Sequence, residues 1–372
     1  MIETIPKSST LAERLRERIR IEGPIPFCDW MRAALYDPQD GYYSRGDRTR
    51  WGRKGDYRTS PERSSLFAAT FARYFASLYE DLGRPANWII GEAGAGEGLF
   101  AVGVLQTLQR SFPDVFEATS YVIDEVSPNS RALSGEHLRC FAGRVEFKKL
   151  NGVEFDPGVV FSNELLDAFP VHLVTRKDGR LQEFYVDVGT DEQFTWLLGD
   201  LWSDSTPRVL EYLDKLGLEP REGQVAEVSL EIEDWLRNVS TKMRRGYVVT
   251  VDYGLNAEDL SSRLADQNST LRGFHRHEFV ADLLARPGEQ DLTTTVNWSF
   301  VKSVGTSLGL EVAEFARQDR FLLAAGFLEQ LAIESQQCKD DAERLRLSTA
   351  ARDMILPDGM ASHFQVLVQK KP

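Results

Sequence analysis

Residues 88–98 read WIIGEAGAGEG, a short apolar run that leads into glycines at alternate positions. The apolar run predicts a buried strand, and the spacing of apolar residues after it predicts a helix over 99–110. Glycines at such a junction let the backbone approach a ligand closely, and open α/β sheets bind nucleotides at this place. The stretch therefore predicts a doubly wound α/β fold with a nucleotide site at the end of its first strand.

The chain that follows alternates between short apolar runs and helical spacing, which predicts a mostly parallel sheet with helices on both faces. Two runs of period two over 173–188 flank Asp178-Gly179, which predicts a β-hairpin. Late strands are predicted at 310–314 and 364–369, on either side of a helical stretch over 321–347, and a late strand is expected to be antiparallel to the rest of the sheet. The remaining predicted strands cover 121–124, 145–147, 159–162 and 247–251.

The sequence pattern of the N-terminal 85 residues differs from that of the rest of the chain and predicts a mostly helical region. Helical spacing covers 11–21, 27–34 and 66–82, with a long ordered loop or functional flap between 36 and 61. Aromatic residues at helical spacing in the third of these helices indicate a buried core face.

Composition limits the function classes. The 372 residues carry 44 Lys+Arg against 57 Asp+Glu, a net charge of −13, which argues against bulk binding of nucleic acid or anionic lipid. The three cysteines, Cys28, Cys140 and Cys338, are odd in number and far apart in the sequence, which argues against a disulfide framework or a structural zinc site. No apolar run is long enough to span a bilayer, and the first residues lack a signal-peptide core. We therefore expect a globular cytoplasmic protein with no metal site.

The spacing of the glycines indicates which nucleotide binds. A dinucleotide loop needs the pattern G-x-G-x-x-G, which would place glycine at position 99, where this chain has Leu99. The chain instead has Gly94, Gly96 and Gly98, with Glu92 two positions before them. A carboxylate there would repel a pyrophosphate but suits a ligand with an ammonium and a sulfonium. The loop therefore predicts S-adenosyl-L-methionine; the alternatives are an ordinary strand-to-helix turn and a nicotinamide-dependent oxidoreductase.

An acidic pair, Asp124 and Glu125, follows the next predicted strand. Two acceptor oxygens match a ribose cis-diol, so we expect Glu125 to bind the ribose of the cofactor.

A third group of polar residues follows the strand over 159–162 and begins with Asn163, Glu164 and Asp167. Open α/β sheets place their chemistry beyond the carboxyl ends of the strands, so these residues are the catalytic candidates. Glu164 and Asp167 are three apart and are expected to share one face of a tight helical turn. If the methyl acceptor is a guanidinium, these carboxylates could hold it and favour loss of its proton. Alternatively, Asp167 orders a turn and Glu164 is solvated.

Taken together, these motifs resemble the MidA-type family of S-adenosyl-L-methionine-dependent methyltransferases. That family includes the mitochondrial complex I assembly factor with protein-arginine methyltransferase activity. The resemblance spans nearly the whole chain, and its blocks occur in the family's order. They are 35–38, 41–43, 55–62, 92–98, 125–128, 163–171, 252–254, 271–272, 287–288, 291–293, 321–323 and 356–360.

The resemblance implies a class I, Rossmann-like methyltransferase fold. It implies a helical region over 1–85 with a cofactor-covering loop, and a core over 86–372 with insertions at about 171–225 and 255–305. In the helical region over 1–85, Thr59, Ser60 and Glu62 of the cofactor-covering loop would fold over the cofactor. The implied acceptor is an arginine of a protein such as a respiratory-complex subunit, without nucleic acid or membrane insertion. A homodimer is compatible with this reading.

This chain departs from the family's usual residues at Ala93, Ala95, Leu99, Thr295 and Asn297. The last two stand where the family has histidine and aspartate. The second hypothesis for function is therefore a cofactor-binding assembly factor for a respiratory complex that performs no turnover.

Overall fold

The computed structural model describes residues 10–45, 65–266, 269–276, 278–356 and 363–372. Most of the predicted flap at 36–61 lies outside these residues. The α-helices are α1 Leu11–Glu22, α2 Phe27–Tyr36, α3 Ser65–Asp81, α4 Leu99–Ser111, α5 Pro113–Ala118, α6 Pro128–His137, α7 Thr206–Lys215, α8 Leu230–Lys242, α9 Ala257–Asp266, α10 Trp298–Ser307, α11 Gln318–Ala324, α12 Phe327–Gln337 and α13 Asp341–Ile355.

The strands confirm those predicted and add several others. They are β1 Ile25–Pro26, β2 Trp88–Ala93, β3 Thr119–Asp124, β4 Val145–Phe147, β5 Gly158–Asn163, β6 His172–Lys177, β7 Arg180–Val188, β8 Phe194–Gly199, β9 Val225–Val228, β10 Gly246–Leu255, β11 Arg272–His275, β12 Glu278–Val280, β13 Asp291–Thr293, β14 Val296–Asn297, β15 Glu311–Arg317 and β16 Phe364–Lys371.

The described residues form two compact units made of interleaved chain segments. The sheet unit contains described residues from 65–165, 235–254 and 302–372. The insertion unit contains described residues from 10–45, 166–234 and 255–301.

The sheet unit is built on a mostly parallel sheet with the strand order β4-β3-β2-β5-β10-β16-β15. The first five of these strands are parallel, and β16 is antiparallel to both of its neighbours. This confirms the predicted α/β fold and its late antiparallel strand. The order of the strands reverses between β2 and β5, and such a switch point opens a crevice at the carboxyl ends of the strands.

Aromatic side chains hold α3 and α4 to one face of this sheet. Phe67, Phe71 and Phe75 repeat every four residues on α3, so they share one side of the helix and are fully buried. Phe100 of α4 stacks on Phe161 of β5, with ring centroids 4.2 Å apart. This packing fixes the first turn of α4, which directly follows the glycine loop.

The insertion unit contains the predicted hairpin between β6 and β7. Asp178 and Gly179 form its two-residue turn with φ of 50° and 73°, the left-handed geometry that suits a tight hairpin. Strand β7 also pairs with β1 and β8, and β6 pairs with β9. Strands β11, β12 and β13 form a separate three-stranded sheet.

A buried polar cluster ties this hairpin to α2. His172 Nδ1 lies 2.6 Å from Glu183 Oε1, and Glu183 Oε2 accepts a hydrogen bond from Trp202 N at 2.9 Å. Cys28 contacts His172 and accepts from Arg32 Nη2 at 3.3 Å. Burial alone lowers the pKa of the His172 imidazole, but Cys28 and Glu183 outweigh burial and raise that pKa to about 9. His172 is therefore a cation at neutral pH.

The stretch predicted as helical over 321–347 is divided among three helices. Helix α11 ends before Gly326, whose φ of 89° breaks the helical path, and α12 begins directly after it. Helix α13 starts at a second boundary, where the Asp340 side chain accepts from Glu343 N at 2.7 Å.

Candidate cofactor and acceptor site

The glycine loop adopts a backbone that other residues rarely take. Gly94, Gly96 and Gly98 have φ of 68°, 54° and 75°, all in the left-handed region. A Cβ on Gly98 would lie 2.2 Å from the Oγ of Ser134 on α6. Gly94 N also donates to Asp124 O at 2.8 Å, which ties the loop to the end of β3. The alternating glycines are therefore required for this loop, whichever ligand it binds.

Glu125 lies against this loop, as its position after β3 predicts. Its Oε2 accepts a hydrogen bond from Gly96 N at 2.8 Å, and its Oε1 accepts from Ser127 N at 2.7 Å. Ser127 in turn caps α6 by accepting from Ser130 N. The carboxylate therefore joins the glycine loop to the start of α6.

Glu92 forms a pair with a residue that sequence reasoning missed. The hydroxyl of Tyr121 on β3 donates to Glu92 Oε2 at 2.6 Å. Glu92 is 4% exposed and Tyr121 is fully buried. Burial raises the pKa of the Glu92 carboxyl to about 8; the Tyr121 hydrogen bond lowers this pKa, and the nearby Glu125 carboxylate raises it. The two positions belong to different strands, so only the register of the sheet reveals the contact.

The chain turns sharply after β5, at the predicted catalytic residues. Asn163 Nδ2 donates to Glu164 Oε1 at 3.2 Å, and Glu164 N donates to Val251 O at 2.9 Å. Glu164 has a φ of 51°, a conformation that costs free energy for a residue with a side chain and is frequent at functional sites. The helical turn begins only at Leu166. The expectation that Glu164 shares one helical turn with Asp167 is therefore wrong, because its left-handed backbone interrupts the path.

Asp252 holds this turn against β10. It is fully buried, and its two carboxylate oxygens accept from Leu165 N at 3.2 Å and from Tyr253 N at 2.9 Å. The sequence signal for Asp252 is its place in one of the family's blocks, at the end of a predicted strand.

Asp167 belongs to the insertion unit, where it is 5% exposed. Its carbonyl oxygen accepts from Thr294 N at 2.9 Å, so its backbone is fixed by the segment before β14. In that segment Thr295 N donates to Thr270 Oγ1 at 3.1 Å, and Asn297 Oδ1 accepts from Phe300 N at 3.2 Å. The residues that depart from the family at 295 and 297 thus take part in local structure.

Thr59, Ser60 and Glu62, the residues predicted to cover the cofactor, lie outside the described residues. Within the described ranges, His, Cys, Asp and Glu side chains nowhere gather in a group of three or more that could hold a metal ion. No helix in the same ranges has both the length and the apolar character that a membrane span needs.

Comparison with known proteins agrees with this architecture. Residues 70–316 match the model of a family described as "Putative S-adenosyl-L-methionine-dependent methyltransferase". A Drosophila melanogaster protein, "Protein arginine methyltransferase NDUFAF7 homolog, mitochondrial", is 29% identical over 329 residues, which are 81% of this chain and 71% of that protein. The Homo sapiens "Protein arginine methyltransferase NDUFAF7, mitochondrial" is 21% identical over 376 residues, which are 95% of this chain and 82% of that protein.

A solved structure is similar over almost the full length of the chain. The crystal structure of a Burkholderia thailandensis protein bound to S-adenosyl-homocysteine has a TM-score of 0.84 and 30% sequence identity. The similarity covers 97% of this chain and 91% of that one. The fold, the glycine loop and these matches together show that the chain belongs to the MidA-type family of S-adenosyl-L-methionine-dependent methyltransferases.

Proposed function

We propose that this chain transfers the methyl group of S-adenosyl-L-methionine to an arginine side chain of a protein. The observation that carries the proposal is the strained turn after β5, which presents Glu164 at the same sheet edge as the glycine loop. The names of the Drosophila and human relatives, both described as protein arginine methyltransferases, support the choice of acceptor.

The residues of the sheet unit fit the cofactor. The loop accepts no side chain at Gly94 or Gly98 without displacing a neighbour: a Cβ on Gly94 would lie 3.0 Å from Leu165 Cδ1, and one on Gly98 would lie 2.2 Å from Ser134 Oγ. The backbone of the loop and Glu92 would hold the methionyl end, and Glu125 would accept from the ribose hydroxyls. Glu92 and Glu125 also place negative charge beside a ligand that carries an ammonium and a sulfonium. Thr59, Ser60 and Glu62 would cover it.

The cofactor, when bound, supplies an electrophilic methyl group on its sulfonium. Arginine is a cation at neutral pH, so the protein must orient its guanidinium and accept a proton as the nitrogen attacks. Glu164, steadied by Asn163, would accept that proton. The carbon–sulfur bond breaks as the nitrogen–carbon bond forms, and the sulfur keeps the electron pair.

The test compares Glu164→Gln with wild type and with Glu311→Gln, an exposed carboxyl on β15 that serves as the matched control. Transfer of labelled methyl groups to host proteins should fall by about 10²-fold or more in Glu164→Gln, the usual effect of losing a positioned acid–base group. Affinity for S-adenosylhomocysteine and the control's activity should stay unchanged. Full turnover in Glu164→Gln would overturn the proposed role of this carboxylate.

The same assay separates the second candidate function, a cofactor-binding assembly factor. In that case wild-type protein would bind S-adenosylhomocysteine but label no host protein.

The acceptor that we propose is a respiratory-complex subunit, encountered in the cytoplasm. The net charge of −13 favours association with the basic segment that surrounds an arginine substrate.

A further inference from the structure

The Glu92–Tyr121 pair is buried in an apolar part of the sheet unit. In the register of β2 and β3, Glu92 lies opposite Ile123, and Ile90 lies opposite Tyr121. Glu92 also lies opposite Phe161 of β5. These apolar neighbours are buried, so the carboxyl of Glu92 is shielded from water and receives its hydrogen bond from the Tyr121 hydroxyl.

No positive charge balances this carboxyl within the described residues. The groups that act on it are the Tyr121 phenol on β3 and the Glu125 carboxylate just after β3. The side chains that face this core from β5, α3 and α4 include Phe161, Phe71 and Phe100, which carry no charge. A buried carboxylate without a cation is unfavourable, and a second carboxylate nearby makes it more so. The protonated form of Glu92 is therefore favoured at neutral pH.

We propose that Glu92 holds a proton while the glycine loop is free and releases it when the cationic cofactor binds there. The inference rests on the proposed cofactor site. The step balances simply: the O–H bond of the carboxylic acid breaks, the proton goes to solvent, and the carboxylate that remains is paired with the charge of the ligand. Tyr121 acts as a positioning residue, because its hydroxyl keeps donating to the carboxylate after the proton leaves.

The test is isothermal titration calorimetry with S-adenosyl-L-methionine, without a methyl acceptor, in two buffers of different ionisation enthalpy, which counts the protons exchanged on binding. Because the carboxyl titrates near pH 8, Glu92 should release about 0.9 proton at pH 7, about 0.5 at pH 8 and almost none at pH 9.5. The amino group of the ligand also titrates in this range. The contribution of Glu92 is therefore the number of protons released by wild type minus the number released by Glu92→Gln.

Two further variants sharpen the test. Tyr121→Phe removes the hydrogen bond that lowers the pKa of Glu92, so the pH at which proton release is half-maximal should rise. Tyr79→Phe, which removes a phenol from the same core, is the matched control and should leave the profile unchanged. Infrared spectra of the ligand-free wild type should show a carboxylic-acid C=O band that disappears as the pH passes about 8. The spectra make the test independent of whether Glu92→Gln folds.

The results distinguish this inference from the proposed function. If S-adenosyl-L-methionine binds and the number of protons released is the same in wild type and Glu92→Gln, this inference alone is overturned. An infrared C=O band of the wild type that does not change with pH overturns it as well. If S-adenosyl-L-methionine does not bind at all, both the inference and the proposed function are overturned.

Discussion

The buried pair of His172 and Glu183 should make the stability of the protein depend on pH in the alkaline range. The pKa of His172 is raised from its ordinary value of 6.5 to about 9. Glu183→Gln removes the carboxylate that pairs with this imidazolium. His172 is 8% exposed and Glu183 is fully buried, so water screens their interaction little. Cys28 and Glu183 both raise this pKa, so the substitution should remove the part of the stabilisation that Glu183 supplies.

The magnitude follows from the size of the pKa change. A rise from 6.5 to about 9 corresponds to about 3 kcal/mol of stability, at roughly 1.4 kcal/mol per pKa unit. Because the pKa of a base is higher in the folded state than in the unfolded state, this stability is fully present below pH 6.5 and is lost as the pH rises through 9. Glu183→Gln should therefore lower the free energy of unfolding by up to about 3 kcal/mol at pH 6, and by much less at pH 10.

Urea unfolding followed by circular dichroism at pH 6, 8 and 10 measures this difference. Glu192→Gln is the matched control, because it removes an exposed ion pair with Arg20 in the same unit and should change stability by less than about 1 kcal/mol. A loss in Glu183→Gln that stays constant from pH 6 to pH 10 would refute the charge argument. Such a result would indicate that the lost hydrogen bond to Trp202 N is the whole effect.

Three other substitutions test the sheet unit. Gly98→Ala should lower stability by at least about 1–2 kcal/mol, because its backbone is left-handed and its Cβ would contact Ser134 Oγ; an unchanged melting temperature would contradict this geometry. Phe161→Ala should lower the free energy of unfolding by about 3–5 kcal/mol in urea, since it empties the space beneath Phe100; a loss below 1 kcal/mol would mean that the core refills. The raised pKa of the Glu92 carboxyl stabilises the wild-type fold at low pH, and this stability is lost as the pH rises through 8. The free energy of unfolding of Glu92→Gln minus that of wild type should therefore increase between pH 5 and pH 9, by up to about 5 kcal/mol. A difference between the two proteins in the free energy of unfolding by urea that does not change with pH would refute this argument.

Local patterns were sufficient to predict much of the sheet unit. The apolar runs of β2, β5 and β10 are bounded by glycine or polar residues, and the loop at 91–98 has glycines at alternate positions directly after the first of these runs. The hairpin at Asp178-Gly179 could also be predicted from local sequence, because its turn residues tolerate a left-handed backbone.

Contacts that depend on register could not be predicted in the same way. Tyr121 meets Glu92 because of the alignment of β2 with β3. His172 meets Glu183 diagonally across the hairpin, since Glu183 is paired with Val174, two residues after His172. The turn at Glu164 also misled local reasoning, since the three-residue spacing to Asp167 suits a helix while the backbone of Glu164 is left-handed. Tertiary packing decides that conformation.

Strand β16 lies inside the sheet but outside the range of residues that the family model matches. In the sheet it lies between β10 and β15, although it follows both in the chain. The matched range ends at residue 316, so a fragment cut to that range would leave β15 without β16 and open the edge of β10 along Gly246–Tyr253. Open strand edges pair readily with other chains and promote aggregation. The matched range is therefore a unit of evolutionary comparison, and a soluble fragment of the sheet unit has to extend through residue 371.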